Sequence, residues 1–445
     1  MFSLDDLIQA THGRLLSMGK EIFREASIDT RTIGENDLFF ALKGSKTDGH
    51  EFLAEAFTKA SGAVISRGQS IDFHNKTVVL VKDTLNALQQ LGGYLRKQFK
   101  GKVIAVIGSN GKTTTKELIC QFLSKKYRVL KTEGNLNNNI GVPLCISRVE
   151  ANTDIMVLEL GTNKPGDIRE LCEIVYPDCA LITNIGYEHI EGFGSIEGVR
   201  DGELEILPYV KTVFANGDDE FLMDGLKGWK GQILTFVLGR ECDFRADNIN
   251  FYDDHAQFEF YTDTASFPLK THLTGIHNIY NITAATAVAT FLGISKCIIT
   301  QVTEVFTPVK MRGEIIKING LEIFLDAYNA NPSSMKLALE ELARRKRERK
   351  TVAVLGDMME LGSFTQKAHE EVGRLIKKLG IDIFIGVGTF IKDALRYVNG
   401  YVFDDAVQAG EFLKRQLNGS EVVLIKGSRA MQMERILEVL KEDVL

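Results

Sequence analysis

The sequence has no run of about eighteen uncharged apolar residues, the length a membrane-spanning helix needs. Its first residues, Met1-Phe2-Ser3-Leu4-Asp5-Asp6, form neither the basic segment nor the apolar segment of a secretion signal. A cytoplasmic location without membrane insertion is therefore expected. Cysteine is scarce, and the six residues at 120, 145, 172, 179, 242 and 297 form no C-x-x-C pair. That speaks against zinc and leaves small buried hydrophobes in a reducing compartment as their reading. A basic excess is also missing. The net charge of −6 argues against nucleic acid as a partner and still permits a local cationic phosphate site. Neither an internal repeat nor a low-complexity tract occurs. What remains is an ordinary globular composition, 44% apolar and 25% charged over 445 residues. That is more chain than one hydrophobic core serves, so two or three domains are expected.

The most informative stretch runs from Val103 to Thr115. Val103 to Ile107 reads as a short buried strand, and Thr113 to Leu123 as a helix with Leu118, Ile119 and Phe122 on one face. Between them Gly108 and Gly111 allow backbone N–H groups to close on a phosphate at a helix N-terminus. Gly108, Ser109, Asn110, Gly111, Lys112, Thr113 and Thr114 thus read as a nucleotide loop. Lys112 would reach the β- and γ-phosphates, and the Thr113 hydroxyl would bind Mg²⁺. The usual first glycine, five positions before Gly111, is missing, because position 106 is Val106.

The first hundred residues alternate short strand and helix patterns, with a strand at Asp37 to Leu42 and helices at Phe52 to Ala60 and Thr84 to Phe99. Asp29-Thr-Arg31 and Asp48-Gly-His50 lie in polar turns suited to a sugar or phosphate. From 103 to about 310 strands at Ile155 to Leu160, Cys179 to Ile185 and Thr212 to Ala215 alternate with helices, which favours a mostly parallel sheet. Residues 233 to 270 read as a β insertion, and Asn278 to Phe291 as an alanine-rich helix. After Pro308 a third α/β unit has strands at Glu322 to Asp326, Thr351 to Leu355, Ile381 to Val387 and Glu421 to Lys426. The run Arg344-Arg-Lys-Arg-Glu-Arg-Lys350 reads as the solvated end of a helix beginning near Ser333.

Two strand ends add candidates for the site. Glu159 closes the apolar run Ile155-Met-Val-Leu158, and a hard cation shared with phosphate oxygens needs only one or two such carboxylates. The next strand runs into Asn184-Ile-Gly-Tyr-Glu-His189. A lone histidine is more often a core or surface group, but beside a phosphate loop His189 fits a metal ligand.

These motifs, with Glu133-Gly-Asn-Leu-Asn-Asn-Asn-Ile-Gly-Val-Pro143 and Leu158-Glu-Leu-Gly161, resemble the Mur ligase family of ATP-dependent amide-forming enzymes of peptidoglycan synthesis. Asp326-Ala-Tyr-Asn-Ala-Asn-Pro332, Leu355-Gly-Asp-Met-Met-Glu-Leu-Gly362 and Lys426-Gly-Ser-Arg429 are similar to its MurF type, which joins D-alanyl-D-alanine to UDP-N-acetylmuramoyl-tripeptide. The resemblance implies a three-domain α/β fold. A central, mostly parallel P-loop-type sheet (101–310) would be flanked by a small N-terminal α/β domain that binds the UDP-sugar (1–100). A C-terminal Rossmann-like domain (311–445) would bind the acceptor. A monomer using ATP and Mg²⁺ is expected.

By the same resemblance, Lys112 holds the γ-phosphoryl group, and Thr113, Glu159 and His189 are metal ligands. His277, Asn278 and Asn281 belong to the adenine side, Arg312 to the phosphates and Asp326 to the ribose. Asp29, Arg31, Asp48 and His50 fit the uridine nucleotide, and Asn135, Asn137 and Asn138 the muramoyl peptide. Asn329, Asn331, Ser333, Lys426, Ser428 and Arg429 would line the acceptor side. Duller readings stand beside these: a polar loop at 135–139, a turn cap at Asp326, and a helix start with Ser333 or Asn331 as cap. At position 203 the pattern of this ligase type has a lysine that carbon dioxide converts to an anionic carbamate, and this chain has Glu203. The Glu203 carboxylate would then supply permanently a negative oxygen for the metal; the competing reading is a solvated helix residue, with Glu205 or no group in the role. Three rival functions remain at this point. The sister ligase that adds a single amino acid (MurE type) carries an Asp-Asn-Pro-Arg tetrapeptide absent here, and folylpolyglutamate synthase lacks the uridine-binding domain. In a non-catalytic nucleotide-dependent binding protein, Thr113, Glu159, His189 and Arg312 together would be superfluous.

Overall fold

The computed structural model describes residues 1–68, 73–318 and 320–441. Three large sheets organise the described residues, besides a two-stranded pair of Phe2–Ser3 and Ile22–Phe23. The first has five strands in the order Arg14–Ser17, Thr77–Leu80, Gly62–Ile65, Leu38–Phe40 and Ala26–Ser27, antiparallel only at its first pair. The nine-stranded central sheet places Lys102–Ile107 between Cys179–Ile182 and Ile155–Glu159, all parallel. A six-stranded sheet spans Glu314–Ile318 to Tyr401–Phe403, with one antiparallel pair at its edge.

Alternation along the central strand decides its surroundings. Val103, Ala105 and Ile107 face a core shared with Leu88 and Leu91 of the helix Thr84–Gln98, while Ile104 and Val106 face Leu118 and Ile279 on the other side. A strand buried on both faces must be apolar throughout, as this one is after Lys102. Helices Lys112–Leu123 and Ile276–Phe291 cover the second face. The helix Thr84–Gln98 also packs on the N-terminal sheet, so one apolar cluster runs from Phe40 and Val79 through Leu91 to Leu158.

Several boundaries and two assignments differ from the sequence reading. The expected helix at Phe52 to Ala60 is one turn, Leu53–Ala56, after a 3₁₀ turn Gly49–Phe52 capped by Asp48. Residues 233 to 270 form no separate insertion. Gln232–Leu238 and Phe244–Phe251 continue the central sheet in parallel, and Ala256–Tyr261 and Ser266–Thr271 close its edge as antiparallel strands. The basic run after Ser333 is not simply solvated either. The helix Pro332–Arg344 ends at its start, and Arg345 is buried between Glu341, 2.7 Å away, and Glu322 of the neighbouring strand. Arg349 also pairs with Glu322 at 2.9 Å. The carboxylates Glu322 and Glu341 are held below their ordinary pKa, because Arg344, Arg345 and Arg349 more than offset the cost of their burial.

Candidate active site

The strand Lys102–Ile107 ends in a loop whose tightness explains its glycines. Gly108 and Gly111 adopt positive φ, 108° and 84°. A Cβ at Gly108 would lie 2.5 Å from Thr183 Oγ1, and one at Gly111 2.2 Å from Asn281 Oδ1. No side chain caps the helix that starts at Lys112, so its first N–H groups are left for an anion. Asn110 donates its N–H to Asn184 Oδ1 at 3.1 Å, which ties the loop to the neighbouring strand end.

Around this loop, polar atoms are buried without partners. Thr113 Oγ1, Glu159 Oε2 and Glu203 Oε1 have no hydrogen bond, although each is shut off from water. An unpaired buried oxygen costs about 1–3 kcal/mol, and three so close to one loop fit a cation-and-phosphate site that a ligand completes. Glu159 is aimed from behind: Asn137 donates to its Oε1 at 3.0 Å, and the wholly buried Lys116 stands 3.8 Å from its Oε2. Among the described residues no group of three or more His, Cys, Asp and Glu could hold a metal by itself. The donor set fits Mg²⁺ that takes part of its shell from phosphate and water.

Glu203 is fully buried at the end of the helix Ile196–Glu203, and its Oε2 accepts the Gly108 N–H at 3.0 Å. The reading of a solvated helix residue is therefore overturned. Glu205 is engaged elsewhere, accepting the Gly166 and Arg169 N–H groups at the start of the helix Asp167–Val175. Burial, with Glu188 nearby and against the pull of Lys112, raises the Glu203 carboxyl to about 7.

Lys112 donates to Gly108 O and lies 3.5 Å from Glu188, with its side chain only 14% exposed. It is thus more covered than a freely solvated phosphate ligand. Burial disfavours its charge, but Glu188, Glu203 and Glu159 more than compensate and raise its pKa. Burial raises that of Glu188. At His189, burial opposes the charge, and the Glu360 and Glu188 carboxylates overcome it to raise the imidazole pKa.

One cavity of about 570 Å³ joins these groups to the C-terminal sheet. Ser109 to Thr114, Glu159 and His189 line it on one side, and Asp326, Asn329, Asn331, Ser333 and Lys426 on the other. Asn135, Asn137, Asn138, His277, Asn278, Asn281 and Arg312 also reach it. Many have protein partners as well. Asn138 accepts the Gly141 N–H at 2.9 Å, and Asn281 donates to Asn278 Oδ1 at 3.1 Å. His277 Nδ1 is buried without a partner, and burial lowers the ring's pKa. Arg312 stacks 3.9 Å from the Tyr328 ring centre. Asp326 faces Lys426 in register and binds its Nζ at 2.6 Å. Asn331 caps the helix Pro332–Arg344 through Ser334 N–H at 2.8 Å and also donates to Asn110 Oδ1 at 2.9 Å, joining two domains.

Other expected residues stand apart from the cavity. Ser428 accepts the Met359 N–H at 2.9 Å, and Arg429 pairs with Glu434 at 2.7 Å. Arg31 and Asp29 pair at 2.6 Å on the N-terminal sheet's surface, which holds Asp29 down at about 2. His50 is buried, donating from Nδ1 to Asp48 at 2.7 Å and accepting the Ser66 N–H at Nε2, 2.9 Å away. Glu188 and Lys116 also stand beside the loop, although the motifs that contain or adjoin them do not single them out. Sequence reasoning also misses Glu360, whose partner His189 is 171 positions away in the chain and offers no local signal.

Three family models match the chain: the Mur ligase family catalytic domain over residues 23–92, the Mur ligase middle domain over 106–289, and the Mur ligase glutamate ligase domain over 311–429. A curated relative from Bacillus subtilis (strain 168), a UDP-N-acetylmuramoyl-tripeptide–D-alanyl-D-alanine ligase, is 35% identical over 439 residues, 95% of this chain and 94% of its own. Among solved structures, MurF from Acinetobacter baumannii is similar with a TM-score of 0.90 at 32% identity, covering 99% of both chains. The MurF ligase of Thermotoga maritima, solved with ADP, gives 0.83 at 29% identity over 95% of this chain and 98% of that one.

Proposed function

The chain belongs to the Mur ligase family, and from that premise we propose how its residues divide the work of an ATP-dependent ligase that joins D-alanyl-D-alanine to UDP-N-acetylmuramoyl-tripeptide for peptidoglycan. The observation that carries this reading is the single cavity with the phosphate loop on one wall and Asn329, Asn331 and Lys426 of the C-terminal sheet on the other. A nucleotide switch needs only the first wall. A ligase needs both, since the activated carboxyl must meet an amine. The sister ligase gives way because the relative of matching length carries the dipeptide-adding name.

The tripeptide carboxylate takes the γ-phosphoryl group of ATP to give an acyl phosphate and ADP. The dipeptide amine then attacks the acyl carbon, loses a proton, and expels phosphate. Charge placement and orientation are the protein's main contribution. The uncapped helix end at Lys112 receives phosphate oxygens, and the Lys112 ammonium turns from Gly108 O toward them. Thr113, Glu159 and His189, with Glu203, would hold Mg²⁺, which would supply positive charge against the phosphate oxygens. The Glu203 carboxyl, built into the chain, would supply its negative oxygen without carbon dioxide, giving up its proton when the cation binds. Asn137 and Lys116 keep Glu159 oriented, and Arg312, braced on Tyr328, faces the phosphates. His277, Asn278, Asn281 and Asp326 bound the nucleoside, and Asn135 and Asn138 the peptide. Asn329, Asn331, Ser333 and Lys426 receive the dipeptide, with Ser428 and Arg429 supporting that wall from outside. Asp29, Arg31, Asp48 and His50 belong to the uridine end. All these groups come from one chain, so a monomer suffices, and ATP use places the reaction in the cytoplasm; no described helix is long and apolar enough to cross a membrane.

The test is phosphate release by the purified protein with ATP. Release that requires both D-alanyl-D-alanine and the muramoyl tripeptide is expected. Equal release without either would refute the ligase assignment.

A further inference from the structure

The contact between the central and C-terminal domains beside the cavity is built around one histidine. His189 Nδ1 lies 2.6 Å from Glu360 Oε2, and Glu191 donates its N–H to Glu360 O at 3.1 Å. The Tyr187 ring stacks on Phe364 with centres 5.0 Å apart and planes 7° from parallel. Both ends of the ion pair are non-glycine residues with left-handed backbone, φ 49° at His189 and 64° at Glu360. That conformation is uncommon outside glycine and carries strain. Stability alone does not account for it, because Glu360 is 57% exposed and an exposed pair contributes little.

An ionised carboxylate can only accept, so the proton of the pair sits on Nδ1 and the neutral ring keeps its lone pair at Nε2. Metal-binding histidines are commonly oriented in this way, with the far nitrogen held by a carboxylate. Here the carboxylate comes from the other domain. We propose that Glu360 is the positioning residue of His189, so that the metal site of the central domain reaches full affinity only when the C-terminal domain is docked. The inference rests on the reading of His189 as a metal ligand.

The experiment measures Mn²⁺ binding to the ADP complex of the full chain, by the electron paramagnetic resonance of free ion. It compares wild type, Glu360→Ala, Glu360→Gln, His189→Ala and the double alanine variant. Glu360→Ala should weaken Mn²⁺ about ten- to a hundredfold, the usual range for such supporting partners. Glu360→Gln should retain part of the affinity, since its amide oxygen still accepts. The double variant should bind no more weakly than His189→Ala alone. Wild-type affinity in Glu360→Ala, with affinity lost in His189→Ala, would overturn the inference and leave the ligand reading intact. An equal further loss when Glu360→Ala is added to His189→Ala would also overturn it, by showing an effect that bypasses the ring. Full affinity in His189→Ala would instead remove the ligand reading on which the inference stands.

Discussion

The turn at Asp48 and the loop at Lys112 both gather charged and polar side chains at strand ends, and they differ in what is left over. At Asp48 the two carboxylate oxygens meet His50 and Arg67, and both nitrogens of His50 are used by Asp48 and Ser66. At the phosphate loop, Thr113 Oγ1, Glu159 Oε2 and Glu203 Oε1 are buried without a hydrogen-bond partner. Folding normally pairs buried polar atoms, so a cluster of unpaired ones marks where a ligand finishes the structure. The first region holds its own geometry, whereas the second gives up stability to keep polar oxygens turned toward charge.

The largest effect that sharpens this contrast belongs to Lys112. Lys112→Ala should lower ligation by about a hundredfold or more, as loss of a preorganised charge does, while circular dichroism stays unchanged. Near-normal turnover would break the contrast at its centre. Glu203→Ala should also be severely impaired, whether bicarbonate is stripped from the buffer or restored. Wild type should ignore bicarbonate in the same assay; a rate that falls on its removal would mean that Glu203 does not supply the anion.

A smaller effect appears as pH dependence of stability. The Glu203 carboxyl sits at about 7 in the folded chain, above the ordinary glutamate value of 4.5. Between those values the folded state binds more protons than the unfolded one, so stability falls as pH rises. In metal-free protein, Glu203→Gln should flatten the decline in melting temperature between those two values. An unchanged slope would show that its burial is without electrostatic cost. The smallest effect on turnover is expected at the self-satisfied turn. His50→Ala should cost about 1–3 kcal/mol through the hydrogen bonds it leaves unmade, read as an earlier first thermal transition, with kcat unaltered. A fall in kcat with no loss of stability would reverse the roles of the two regions.

Much of this was legible in the sequence because it depends on short-range constraints. The glycines at 108 and 111, the apolar strand before them and the carboxylate at the end of the run to Leu158 are local patterns with local causes. The strand-rich stretch from 233 to 270 was legible as strands but not as the edge of the central sheet, because pairing partners leave no mark in a single strand. Arg345 was hidden in a basic run whose other members are more exposed; Glu341 one turn back and Glu322 beneath the helix end together draw it inward. Glu360 and the link from Asn331 to Asn110 depend on how two domains meet, and no spacing along the chain encodes that.

Whether a cation completes the phosphate loop is read from a crystal structure of the protein with Mn²⁺ and a non-hydrolysable ATP analogue, with the metal located by its anomalous signal. A peak is expected at the phosphate loop, with Thr113 Oγ1 and Glu159 Oε2 among its ligands, and none at Asp48 and His50. A metal bound away from the loop, with Thr113 Oγ1 and Glu159 Oε2 still lacking partners, would contradict a loop completed by a cation.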